Sequence, residues 1–260
     1  MTVLLLGGTA EARALARALV DRACPVISSL AGRVADPALP AGELRIGGFG
    51  GPEGLRRFLL EHRIRAVVDA THPFAAQMSQ HAVSATAAAG LPLLRLARPG
   101  WGEHPQAHTW TWVRDTAVAV TLGGAAHRPF LTTGRQSLAA FVPWADRHVL
   151  VRVVDPPAFD LPERWRLVRS RGPYRYEEEQ RLMRDHGVDL LVTKDSGGTY
   201  TSAKLDAAAS LGVPVLVIAR PAGHLDVETV STVAAALDCI RRLLGEQCAP
   251  LPLQEQQGGS

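Results

Sequence analysis

The chain has 260 residues, 47% of them hydrophobic and 20% charged, a composition that folds into one large or two modest globular domains rather than staying disordered. Its formal charge of +3 comes without any Lys/Arg block, which argues against a protein that tracks a nucleic-acid backbone. No apolar run approaches the roughly 20 residues that cross a bilayer, and MTVLLLGGTAEARAL carries neither a basic leader nor a cleavage site, so no membrane partner and a cytoplasmic location are expected.

In the first half, short apolar runs at residues 3–6, 25–29, 43–46, 66–70 and 92–96 alternate with helical stretches at 11–22, 52–62 and 74–89. VLLL and AVVDA are apolar almost throughout, as strands buried on both faces of a parallel sheet are. Cys24 opens no CxxC pair, and neither do Cys239 and Cys248 further on, so neither a disulfide framework nor a metal site is expected. After Arg98 the rhythm breaks in ARPGWGEHPQAHTWTWV, where Pro, Gly and Trp crowd out any helical period, and a domain boundary is placed there. Its Trp101, Trp110 and Trp112 are candidates either for packing or for covering a flat ligand.

A second series follows, with strands at 109–113, 129–133, 148–154, 166–168, 190–193 and 214–219 and helices at 135–145, 176–186, 201–210 and 227–244. The polar, proline-bearing residues 246–260 are expected to be disordered. The reading is therefore an α/β protein of two domains, residues 1–98 and 99–245, each with a largely parallel sheet, and with an active-site cleft between them.

In such sheets ligands bind beyond the carboxyl ends of the strands. Gly7-Gly8-Thr9-Ala10-Glu11 joins the first strand directly to a helix, where a glycine turn lets an anion approach helix-terminal N–H groups, although it is not GxGxxG. The second strand ends in Ser28-Ser29 and runs on to Arg33, with no acid for a ribose hydroxyl. Hydroxyls and an arginine there suit a 2′-phosphate, and so NADPH.

After the fourth strand come Asp69, Thr71, His72 and Pro73. Thr71 and Pro73 suit the start of a helix, His72 can donate a proton or bind a carboxylate, and Asp69 reads as an orienting group. In the second half Thr132-Thr133-Gly134-Arg135 repeats the strand-to-glycine design. Lys194-Asp195-Ser196-Gly197-Gly198 follows another strand and forms a cradle for phosphate or carboxylate, without the spacing of a Walker motif. The chain's two lysines, Lys194 and Lys204, flank that loop.

Taken in order, GGTAEA, SLAGR, DATHPFA, RPGW, LTTGRQSLAAF, RGPYRYEEE and TKDSGGTYTSAKLDAAASLGVPVLVIARP resemble the precorrin-6A reductase family of cobalamin biosynthesis. The resemblance runs from the first strand to about Pro221. It implies two Rossmann-like domains and an enzyme that uses NADPH to reduce one double bond of a tetrapyrrole, precorrin-6A or its cobalt form, with hydride added to one carbon and a proton to its neighbour. It further implies hand-over contacts with neighbouring pathway enzymes. It maps the ligand loops onto Gly7, Gly8, Thr9 and Glu11, onto Thr71, His72 and Pro73, and onto Lys194, Ser196, Gly197 and Gly198.

One departure is Asp195, where the family pattern carries asparagine; its charge beside an anion is unfavourable unless it turns away or pairs with Lys194 or Arg135. Arginines near predicted loops, among them Arg13, Arg98, Arg171 and Arg175, suit a polycarboxylate. His72 is the first candidate for the proton donor, with Asp146 and Glu179 behind it. Two other functions stand beside this one. The first is an NADPH-linked reductase of a smaller carbonyl or imine, for which Tyr200 and Lys204 give a superficial Tyr-x-x-x-Lys match; the second is a non-catalytic two-domain protein that binds an anion.

Overall fold

In the computed structural model, which describes residues 2–32, 39–221 and 226–245, the apolar runs of the first half become β1 (Thr2–Leu6), β2 (Val26–Leu30), β3 (Glu43–Ile46), β4 (Ile64–Asp69) and β5 (Leu93–Leu96). Between them lie α1 (Ala10–Val20), α2 (Pro52–Glu61) and α3 (Ala76–Ala89). Side chains alternate across a strand, and β1 shows the result. Val3 and Leu5 pack with Leu15 and Leu19 of α1 on one face of the sheet, while Leu4 and Leu6 pack with Leu55 and Leu59 of α2 and Ala82 and Ala85 of α3.

The second series holds β6 (Thr111–Val113), α4 (Thr116–Leu122), β7 (Pro129–Thr132), β8 (Leu150–Val153), β9 (Arg166–Arg169), α5 (Tyr176–Asp185), β10 (Leu190–Lys194), α6 (Ala203–Ser210) and β11 (Val215–Ile218). Among the described residues, those up to Arg98 and those from 226 onward form one compact unit, and those from Pro99 to 221 form the other. The returning segment contributes β12 (Glu228–Val230) and α7 (Val233–Leu244).

Each unit holds one six-stranded sheet, β3-β2-β1-β4-β5-β12 in the first and β9-β8-β7-β10-β11-β6 in the second. Every described pairing is parallel. Read from the β3 or β9 edge, both follow the Rossmann order 3-2-1-4-5-6. The sixth position is taken by the last strand of the chain in one sheet and by the strand preceding the series in the other. Strand order reverses between β1 and β4, and again between β7 and β10, which places a topological switch point in each unit.

The structure corrects several expectations. The stretch 227–244, expected as one helix of the second domain, is a strand and a helix of the first unit. Thr229 and Val230 are β-branched and pair with Arg95 and Leu96 of β5. Thr232 then starts α7 by accepting the Ala235 amide, and Ala236 and Ile240 enter the core beside Leu15. The helix expected at 135–145 is a 3-10 helix, Arg135–Trp144, with Pro143 inside it and so without the N–H an α-helix would need there. α4 was not expected; Asp115 caps it by accepting the Val118 amide at 2.9 Å.

Against the expectation of no disulfide, Cys24 is buried and disulfide-bonded, whereas Cys239 carries a free thiol. Arg33 and the tail 246–260 also lie outside the described residues. Among the described residues no helix is long and apolar enough to cross a membrane.

Candidate active site

At the first unit's switch point the β1–α1 turn is built around Gly8, whose φ of +111° favours glycine and whose missing Cβ would meet nothing within 4 Å. Gly7 donates its amide to the Ser29 carbonyl at 3.0 Å, holding the turn against the end of β2. Thr9 is the N-cap of α1: its hydroxyl accepts the Ala12 amide at 3.1 Å and donates to the Ala70 carbonyl at 2.8 Å. That side chain therefore locks the ends of β1 and β4 together. Glu11, in the first turn of α1, pairs with Arg98 at 2.7 Å, so its charge is offset rather than set against an incoming anion.

Across the switch point, Asp69 is 1% exposed and fully engaged. One oxygen accepts the Thr71 amide at 3.0 Å and the Thr71 hydroxyl at 2.7 Å; the other accepts from Ser79 and Arg95. It orients the strand end, as its position predicted. Thr71 does not cap the following helix, because α3 begins later, at Ala76, with Ala75 as its uncapped N-terminus. Pro73 lies in the intervening turn and, with Thr9, Glu11, Thr71 and Arg98, lines a small depression. His72 Nδ1 accepts the Phe74 amide at 3.3 Å, an arrangement that keeps the ring proton on Nε2.

Ser29 is 6% exposed at the end of β2 and in register with Arg45 of β3. The Arg45 guanidinium donates to the Ser29 hydroxyl at 3.4 Å and to the carbonyls of Gly47 at 2.6 Å and Gly48 at 2.8 Å, and it lies 3.8 Å over the Phe49 ring. Sequence reasoning missed Arg45, which stands inside a predicted strand. The available signal was its place one residue before the strand's end, where an arginine reaches the glycine loop that follows its own strand and the end of β2 beside it.

In the second unit Thr133 is 3% exposed and its hydroxyl has no hydrogen-bond partner among the described residues; Gly134 follows it with φ +79°. Arg135 reaches the Pro156 carbonyl at 3.4 Å. Across this switch point Lys194 ends β10, and burial pulls its ammonium below the usual lysine range.

Asp195 answers the charge problem in an unforeseen way. It pairs neither with Lys194 nor with Arg135: one oxygen accepts the Trp101 amide at 2.9 Å and the other meets Arg220 at 3.2 Å. Ser196 bonds to Thr201 through their hydroxyls at 2.9 Å. Gly197 and Gly198 have φ of +68° and +64°. A Cβ on Gly197 would collide with the Pro99 carbonyl and with Arg220, so the role of Gly197 is to let the loop close.

Other candidates fall away from the strand ends. Lys204 is 3% exposed, 4.6 Å from the Trp101 ring, and bonded to the Thr201 carbonyl at 2.6 Å. Tyr200 donates to the Gly172 carbonyl at 2.7 Å. Each is thus tied to a separate structural partner, which removes the Tyr-x-x-x-Lys reading. Glu179 is buried in an ion pair with Arg152, and exposed Asp146 precedes β8, at the opposite end of the sheet from the loops. Neither is suited to deliver a proton. Trp101 and Trp110 belong to the second unit's core.

The first unit's switch point thus offers an open glycine turn, the start of an 11-residue helix and a neutral β2 end beside a cation, features that fit a phosphorylated dinucleotide. Residues 2–241 match the family model described as Precorrin-6x reductase CbiJ/CobK. The chain is similar to the precorrin-6A reductase of Rhodococcus erythropolis, at 49% identity over 90% of this chain and 95% of that one. Similarity to the precorrin-6A reductase of Mycobacterium tuberculosis reaches 52%, again over 90% and 95%. A solved structure titled CobK precorrin-6A reductase superposes with a TM-score of 0.88 at 40% identity, covering 94% of this chain and 97% of that one. The chain therefore belongs to the precorrin-6x reductase family, CbiJ/CobK.

Proposed function

We propose that this chain reduces one double bond of precorrin-6A with NADPH, in the cytoplasm, as a step of cobalamin biosynthesis. The observation that carries the reading is the family match over residues 2–241, which spans both switch points and every loop described above.

Bound NADPH would supply the hydride for one carbon of the double bond, with a proton going to its neighbour, so that the products are the dihydro macrocycle and NADP⁺. The residues do the rest by binding and alignment, and no covalent group is needed. Gly7, Gly8 and the amide end of α1 would hold the pyrophosphate. Thr9 and Asp69 fix the turn geometry through the Ala70, Thr71 and Ser79 bonds. Thr133, Gly134, Arg135, Lys194, Ser196 and Gly198 are assigned to the substrate's carboxylates, with Arg135 and Lys194 supplying the charge.

His72 enters as a hydrogen-bond donor through Nε2, because its Nδ1 is already held by the Phe74 amide, and the proton for carbon comes from water. This division of labour requires cofactor and substrate to meet, which is the interdomain cleft expected from the sequence. Hand-over contacts with neighbouring pathway enzymes belong to the same proposal.

The test is an anaerobic assay of purified protein with NADPH and precorrin-6A, and in parallel with the cobalt form, following absorbance and product mass. Stoichiometric loss of NADPH with a gain of two hydrogens in the macrocycle is expected. NADPH left unconsumed by both tetrapyrroles would refute the proposal.

A further inference from the structure

We infer that Arg45 is the residue that reads the 2′-phosphate and so selects NADPH over NADH; this rests on the NADPH reading above. A Rossmann unit that prefers NADH places an acid at the end of β2. Here β2 ends in Ser29 and Leu30, and the residue in register with Ser29 is Arg45.

Among the described residues, the other arginines near this end of the first unit are held elsewhere. Arg95 is bound to Asp69, Arg98 to Glu11, and Arg13 reaches back to the Thr9 carbonyl at 3.2 Å. Arg45 differs from Arg95 and Arg98 in its partners, and from Arg13 in lying against the end of β2. Among the described residues it makes no ion pair, and its bonds go to two carbonyls and a hydroxyl. These engage three of the five guanidinium N–H groups, leaving two that match a phosphate edge.

Its plane is set by the Phe49 ring at 3.8 Å, with Phe58 at 5.3 Å, and Phe49 and Phe58 meet edge to face at 5.2 Å. The cation is thus pre-oriented without being neutralised. Burial lowers its pKa from the usual arginine value, so its charge lacks full hydration and gains from an anion. The loop it pins, Gly47 to Gly51, leaves room for that anion: no atom lies within 4 Å of where a Cβ on Gly47, Gly48, Gly50 or Gly51 would be.

Calorimetric titration with 2′,5′-ADP and with 5′-AMP tests the assignment without any turnover. The unaltered protein is expected to bind 2′,5′-ADP roughly tenfold or more tightly than 5′-AMP. Arg45→Gln should lose that margin while 5′-AMP binding holds within about twofold. Arg45→Lys, which keeps the charge but not the stacked fork, should fall between the two. Equal losses for both ligands in Arg45→Gln would make the side chain a loop pin and overturn the assignment, as would an undiminished margin. If the unaltered protein binds neither 2′,5′-ADP nor NADPH, the NADPH reading falls and this inference with it.

Discussion

Burial disfavours the charged form of a lysine, and Lys194 is held partly out of water at the end of β10, where the glycine loop begins. Burial lowers its pKa from 10.5. Between the folded value and 10.5 the unfolded chain binds more protons than the folded one, so stability rises with pH across that window. Below the folded value the penalty is complete and constant. Lys194→Met removes it. The variant's urea midpoint should change less than the parent's between pH 8 and 10, while its KM for the tetrapyrrole rises roughly tenfold.

Lys204 gave the same signal in the sequence and plays the opposite part, because its partner, the Trp101 ring, lies far away in the chain and no local pattern announces it. His72 was legible as a strand-end residue from its place after β4, but its tautomer depends on the Phe74 amide, a matter of turn geometry. His72→Ala should raise KM for the tetrapyrrole about tenfold and leave kcat within about threefold. A fall in kcat of about a hundredfold, with an altered acid limb in the pH profile, would make His72 the acid after all.

Among the elements, the loop after β10 shows how backbone shape does what side chains alone could not. Asp195 holds the Trp101 amide and Arg220, Trp101 donates its indole N–H to the Gly198 carbonyl at 2.8 Å, and Gly198 donates to the Pro99 carbonyl at 3.1 Å. Gly197 sits inside this clasp. Gly197→Ala forces a Cβ into the Pro99 carbonyl at φ +68°, so about 2–4 kcal/mol should be lost. Gly212→Ala has nearly the same φ, +66°, but open space, and should cost only about 1 kcal/mol. Thermal melts of the two variants separate collision from conformational strain.

The acid in place of asparagine could be flagged from sequence, but Arg220, which neutralises it, is 25 residues away and was invisible there. Strands were the legible elements, since buried apolar runs such as those of β1 and β4 have few other uses. The 227–244 stretch failed because a three-residue edge strand and the helix behind it read as one amphipathic run.

For the molecule as a whole, that misplacement has a consequence that can be measured. The chain visits the first unit, builds the second, and returns to supply β12 and α7 to the first. β12 covers the edge of β5 along Leu94, Arg95 and Leu96, and the Ala97 amide bonds to the Val230 carbonyl at 2.9 Å. α7 buries Ala236, Ile240 and Leu244 in the cluster that holds Val3, Leu15 and Leu94. Removing residues 226–260 should therefore expose a strand edge and cost the first unit about 5 kcal/mol of apolar burial, comparable to the whole stability of many domains. The second unit's sheet takes no strand from that segment.

Hydrogen exchange of the truncated chain should then show protection lost in β1, β4 and β5 and retained in β7, β10 and β11. Had these residues belonged to the second domain, as their position suggests, the loss would fall on β7 to β11 instead. NADPH binding should vanish with the first unit's protection, since the Gly7-Gly8 turn rests on β1 and α1, whose Leu15 and Leu19 would lose the partners that α7 provides.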